Sequence, residues 1–192
     1  MRILHVYKDY HPVLGGIESH VRQLCQLLAD DPSLSPSVLA TSPTAQSERW
    51  FDGRVPVVKA GRLATPFRTP ISPALTRELL RAPYDILHLH VPYPFAELSY
   101  LASMRSEPAV VTYHSDVVRQ NALFRLYQPF FTLFLRRVRR IIVASPPYLA
   151  SSAQLAPFSA KACVIPLGID TARFSWAPPE SVARFRSNHR SL

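Results

Sequence analysis

Glycine is scarce in this chain: five in 192 residues, at positions 15, 16, 53, 61 and 168. The dinucleotide fingerprint needs three closely spaced glycines and the Walker loop needs Gly-Lys-Ser/Thr, so both are absent and ordinary dehydrogenases and P-loop enzymes are demoted. Cysteine is scarcer still. Cys25 and Cys163 lie far apart in apolar patterns and read as buried free thiols, which excludes a disulfide framework and suits a reducing cytosol. Long apolar runs are missing. The longest, Ala122–Leu135, is interrupted by Arg125 and Gln128 and falls short of the roughly 20 residues that cross a bilayer. The opening MRILHVY lacks the apolar core of a secretion signal, with Asp9 and His11 following at once. Acidic residues are also few: 13 against 22 basic ones, a formal charge of +9. That excess favours anionic partners such as nucleotide phosphates, anionic lipid or nucleic acid without choosing among them. The arginines are scattered, no aromatic residues interleave with them in a stripe, and no nucleic-acid motif appears, so a polyanion-binding module is the weaker reading.

What is present is enough apolar residue, 47% of the chain, for one sizeable core. Short β-branched runs alternate with segments of helical period, as expected of buried parallel strands joined by helices. Seven strands are expected: Arg2–Tyr7, Ser37–Thr41, Val55–Lys59, Asp85–His90, Ala109–His114, Arg140–Ser145 and Ala162–Pro166. Helices are expected at Ile17–Ala29, from Ser72-Pro73 to Arg81, from Phe95, over Leu123–Arg137 and at Tyr148–Ala153. A Ser/Thr/Pro-rich loop is expected between the second and third strands. The fold class is α/β, a Rossmann-like, doubly wound, mostly parallel sheet. The tail from Ser175 gathers Pro, Ser and Arg and reads as a linker or an outer helix.

In such a sheet ligands bind outside the carboxyl ends of the strands, and the loop Lys8–Gly16 follows the first strand. Gly15 and Gly16 at its end would let the backbone approach a ligand, with the N–H groups opening the next helix facing a phosphate. From the pair alone, a simple chain turn is an equal reading. His88 and His90 in HLH share one face of a strand. With no third ligand evident, they read as a buried polar pair near the sheet's edge rather than a metal site. Glu18 fits the dipole of a helix's first turn, and that reading is preferred to a base.

The run MRILHVYKDYHPVLGGIESHVRQLCQLL, then DILHLHVPYPFAELSYL, VVTYHSD, IIVASPPYL, and VIPLGID with TARF, resembles the N-terminal half of a family 4 glycosyltransferase of the GT-B fold. Five motifs in the family's order, over residues 1–174, make the likeness specific. It implies the acceptor-side domain of a retaining enzyme that moves a sugar from a nucleotide diphosphate sugar to a glycan or lipid-linked hydroxyl. Gly15 and Gly16 would lie by the donor's diphosphate. His114, in TYHSD, would hydrogen-bond the donor sugar. Tyr10, Asp116, Arg119 and Gln120 would bind acceptor, although for the last three a solvated loop is an equal reading. The resemblance implies no metal cofactor, in agreement with the lack of any Asp-x-Asp. A nucleotide-sugar epimerase on the same fold is the alternative chemistry.

The pattern departs from the family in two places. SLSPSV stands where a Gly-His turn is common, and the chain ends near Leu192, where a donor-binding second domain with paired glutamates is expected. The domain plan is therefore residues 1–174 as the N-terminal domain and 175–192 as a linker, with little activity expected of this part alone. A cytoplasmic location, with peripheral membrane contact, is expected. For the latter, NALFRLYQPFFTLFLRRVRR joins an aromatic stretch to a basic end, as either an anionic-membrane surface or a core helix with dipole-favoured cations.

Overall fold

The computed structural model describes residues 1–116, 121–169, 171 and 179–188. Its strands are β1 (Arg2–Val6), β2 (Ser35–Thr41), β3 (Glu48–Asp52), β4 (Val55–Ala60), β5 (Ile86–Val91), β6 (Ala109–Tyr113), β7 (Arg140–Val143) and β8 (Ala162–Val164). They form one sheet in the order β3-β4-β2-β1-β5-β6-β7-β8, parallel throughout except between β3 and β4. The helices are α1 (Gly16–Leu28), α2 (Pro73–Arg81), α3 (Pro94–Ser103), α4 (Asn121–Arg137), α5 (Pro146–Ser151) and the exposed α6 (Pro179–Asn188). The strands β1 to β4 fill one side of the sheet, with β3 at its edge, and the chain then winds from β5 out to β8 on the other side. Strand order therefore reverses between β1 and β5, and a crevice opens outside their carboxyl ends.

The expected seven strands are all present, and an eighth, β3, occupies the middle of the expected loop. Its partner is β4 through a two-residue turn at Gly53-Arg54, with Asp52 opposite Val55. Gly53 sits at φ +62°, the left-handed region that glycine enters without a Cβ penalty. Glycine in the first position of a two-residue turn is a hairpin signal, but β3 is polar, with Glu48, Arg49 and Asp52 in five residues, so no apolar run announces it. Helix starts follow side-chain caps. Ser72 accepts from Leu75 N–H at 3.0 Å, Ser145 accepts from Tyr148 N–H at 3.4 Å, and a proline follows each serine.

The central strands divide their residues between two faces. Leu4, Val6, Leu87, Leu89, Val91, Val111 and Tyr113 pack against α2, α3 and α4 through Leu75, Leu79, Tyr100, Phe131 and Phe134. Each such side chain contributes about 1.5–3 kcal/mol on burial, and this face holds most of the core. His5, His88, His90 and Thr112 point the other way, with His5 directly opposite His88 and His90 opposite Thr112. The histidine pair is thus central, not near the sheet's edge as the sequence suggested, because strand order is not encoded locally. Under α1 a smaller cluster joins Val21, Cys25, Val38, Val55 and Val57. Cys25 is buried and Cys163 half-buried, both free, so only one of the thiols is as hidden as expected.

A polar clamp fixes α1. The Asp52 carboxylate accepts two bonds from Arg22, at 2.7 and 2.9 Å, and one from the Tyr10 hydroxyl at 3.0 Å. One buried carboxylate at the end of β3 thereby holds both the loop after β1 and the first half of α1. Arg22 keeps the Asp52 carboxyl below its ordinary value, against the opposing effect of burial. The clamp's contribution is therefore present above the ordinary carboxylate range and lost as pH falls through the lowered folded value. Asp52→Asn should reduce unfolding free energy by about 1–3 kcal/mol at neutral pH, and by less as the solution is acidified. Urea denaturation across that pH range checks this. An undiminished difference in acid would show that shape rather than charge is what counts.

Candidate functional site

The carboxyl ends of β1, β5 and β6 carry the groups that the sequence singled out. Gly15 is the N-cap of α1, with extended backbone. A Cβ there would meet the Glu18 carboxylate, 2.0 Å from its Oε2, so a side chain would displace Glu18 from the first turn. A Cβ on Gly16 would meet nothing within 4 Å. Packing therefore does not require glycine at 16, and the open space beside it lies at the helix's positive end.

His114 follows β6 and donates its backbone N–H to the Val91 carbonyl at 3.1 Å. Its Nε2 lies 3.2 Å from His90 Nδ1, and the two ring planes are within 21° of parallel with centroids 5.5 Å apart. His20, four residues after Gly16, sets its ring edge-on to both, 5.7 Å from His114 and 6.0 Å from His90. Four residues of helix rise about 6 Å, so His20 brings the opening of α1 alongside His114. The row continues inward. His90 Nε2 lies 3.2 Å from His5 Nδ1, His88 stacks on His90 at 4.4 Å, and His88 Nε2 bonds Thr112 Oγ1 at 2.7 Å.

Five histidines, three from β1 and β5, one from the residue after β6 and one from α1, thus form one column. Burial lowers the basicity of all of them, His5 to about 3 and His114 to about 4, with His88, His90 and His20 lowered as well. Burial thus favours the neutral form of each ring. His5 and His20 were not legible as site residues: each is a lone histidine in sequence, and only the pairing of β1 with β5 and the docking of α1 unite them. The alternation of RILHV and ILHLHV was the available signal.

His5 is also the third histidine that the sequence did not supply for a metal. Donor atoms of His5, His88 and His90 lie within 4.8 Å of one another. Ligation would have to break existing bonds, since both nitrogens of His90 are taken by other histidines and His88 Nε2 by Thr112.

The acceptor candidates divide. Tyr10 is fully buried with its hydroxyl given to Asp52, so its side chain anchors the loop. Asp116 Oδ1 accepts from the Tyr113, Tyr148 and Ser152 hydroxyls at 3.0, 3.0 and 2.7 Å, and Oδ2 has no partner among the described residues. Arg119 and Gln120 lie outside the described residues. Glu18 lines an open groove of about 580 Å³ along α1 with His11, Leu14, Arg22 and Gln26. A groove of about 590 Å³ at the opposite end of the strands, by Arg2, Ser35 and Pro83, is on the wrong side of the sheet for the crevice.

The chain is 40% identical over 179 residues to an O-antigen chain mannosyltransferase C of Escherichia coli, covering 88% of this chain and 46% of that one. It is 36% identical to the D-rhamnosyltransferase WbpZ of Pseudomonas aeruginosa, covering 88% and 45%. It is 32% identical to a phosphatidyl-myo-inositol mannosyltransferase of Mycolicibacterium smegmatis, covering 93% and 46%. The chain therefore spans slightly under half the length of these relatives. In fold it is similar to sucrose-phosphate synthase of Thermosynechococcus elongatus, with a TM-score of 0.67 at 16% identity over 100% of this chain and 53% of that one. It is also similar to Anabaena HepE in complex with UDP-glucose, with a TM-score of 0.64 at 15% identity over 98% and 49%. Residues 14–173 match the sequence model of Glycosyltransferase Family 4, and with relatives of this similarity the chain belongs to that family.

Proposed function

We propose that this chain is the acceptor-side domain of a retaining glycosyltransferase, which moves a sugar from a nucleotide diphosphate sugar to a hydroxyl on a glycan or lipid-linked acceptor. The observation that carries the reading is His114, held at the end of a central strand beside the opening of α1. The N–H groups beginning α1, next to the open space at Gly16, suit a donor phosphate. A neutral His114 suits a sugar hydroxyl. HepE was solved with UDP-glucose, which supports a nucleotide sugar as donor. No metal ion enters this reading: charge on the departing diphosphate would be met by the helix dipole and by basic groups of a donor-binding domain. The groove along α1, with Glu18 and Arg22, and Asp116 Oδ2 are the groups offered to an acceptor.

A lipid-linked acceptor is supported by two features. One relative is named as a phosphatidyl-myo-inositol mannosyltransferase. The outer face of α4 also exposes Leu126, Phe130 and Leu133 by 73%, 51% and 52%, at helical spacing, and Arg136, Arg139 and Arg140 follow on the surface. The opposite face of the same helix, with Phe131, Phe134 and Leu135, belongs to the core. Both readings of this segment thus have a face, and the outer one suits the surface of an anionic membrane. No helix among the described residues is long and apolar enough to cross one.

Three outcomes are expected. His114→Ala in the two-domain enzyme should lower kcat/KM by on the order of 100-fold while leaving the fold intact by circular dichroism and melting. Unchanged turnover would remove His114 from the reaction. Gly16→Ala should be at least as stable as the parent, since alanine favours helix and meets no neighbour, yet it should raise the donor KM roughly tenfold, which is about 1.4 kcal/mol. An unchanged KM would place the donor elsewhere. Sedimentation with anionic vesicles should capture the chain at low salt, and the triple change Leu126→Ser, Phe130→Ser, Leu133→Ser should abolish capture. Equal capture by neutral vesicles, or by the triple variant, would end the membrane reading.

A further inference from the structure

Three histidines of the column are joined through opposite nitrogens of the middle one: His5 Nδ1 to His90 Nε2, and His90 Nδ1 to His114 Nε2, each at 3.2 Å. A neutral imidazole has one N–H and one lone pair. His90 must therefore donate to one neighbour and accept from the other, which forces all three rings into the same sense. Only two arrangements satisfy both bonds. In one, every ring carries its proton on Nδ1, His5 donates to His90, and His90 donates to His114. In the other, every ring carries its proton on Nε2, and the direction of donation is reversed.

The buried end distinguishes the two. His5 Nε2 is buried and has no hydrogen-bond partner among the described residues. In the second arrangement that atom would be an orphaned N–H donor, whereas in the first it is only an unused lone pair. Orphaned buried donors are the rarer and costlier case. We propose that His5 and His90 act as positioning residues that hold His114 in the Nδ1–H tautomer, so that His114 meets a ligand only as a hydrogen-bond donor, suited to a hydroxyl or other oxygen of a bound sugar. The ligand assignment rests on the reading of His114 given above; the tautomer rests on the two bonds, the buried end and the neutrality of the rings.

The other two histidines do not compete. His88 Nε2 is engaged by Thr112, and His20 meets His90 and His114 through its ring edge. Burial keeps the three linked rings neutral, which the single-proton argument requires. An imidazole free in water prefers its proton on Nε2, so the relay reverses His114's own preference. It also bars His114 from taking a proton from an acceptor hydroxyl through Nδ1, because that nitrogen already carries one. The column thereby separates hydrogen bonding to the sugar from proton removal, which some other group must perform.

Imidazole ¹⁵N spectra of this chain, labelled at histidine and recorded at neutral pH, test the relay directly, because protonated and bare ring nitrogens resonate far apart. Signals are assigned from single-histidine variants. Nδ1–H on His5, His90 and His114 together is the expected result. Nε2–H on His114 would overturn the proposal. His90→Phe, which removes the link but keeps a flat ring, should return His114 to mainly Nε2–H. A His114 that keeps Nδ1–H in this variant would show that the relay does not set it. The turnover of His114→Ala is a separate matter: its failure would remove the sugar from the argument and leave the tautomers standing, while wrong tautomers would remove the relay and leave His114 in its proposed role.

Discussion

The pairing of β1 with β5 is the contact on which the rest of the molecule depends. Between these two strands the winding of the sheet reverses, so the crevice outside their ends exists only because they are neighbours. The same pairing sets His5 opposite His88 and within reach of His90. Their other face joins the two halves of the apolar core through Leu4, Val6, Leu87 and Leu89. A slip of one residue would turn every histidine into that core and every leucine out of it.

Stability and chemistry are thus assigned to opposite sides of the same backbone. The side under α2, α3 and α4 is closed by aromatic packing such as Phe134 against Tyr100, with ring centroids 6.0 Å apart. The other side tolerates imidazoles in a dry environment because His5, His88, His90, Thr112 and His114 bond to one another, which leaves His5 Nε2 as the one fully buried ring nitrogen without a partner among the described residues. Low local polarity keeps the rings uncharged and strengthens the bonds among them.

The elements that were legible in the sequence are those whose signals are local. RILHV, ILHLHV and AVVTY show strands by their apolar content, and Ser72-Pro73 marks a helix start by its own chemistry. Ser145-Pro146 has the same form, yet the helix it opens was expected to begin two residues later, at Tyr148. β3 escaped because an edge strand paired on one side needs no apolar run. The central position of His88 and His90 escaped because strand order is a property of the whole chain. The resemblance supplied His114, Gly15 and Gly16, while composition alone left the glycines with two readings. It could not supply the fate of Tyr10, whose hydroxyl is claimed by a carboxylate 42 residues away.

That carboxylate is the last residue of the outermost strand, immediately before the Gly53 turn. The hairpin tip and the glycine-bearing loop are therefore two arms of one lever, with Arg22 and Tyr10 as its pins. Sequence drift at the rim of the sheet can therefore shift the loop and the helix that border the crevice. In a family whose members share this scaffold and differ in the sugars they handle, such remote adjustment offers a way to change selectivity while leaving the histidine column intact.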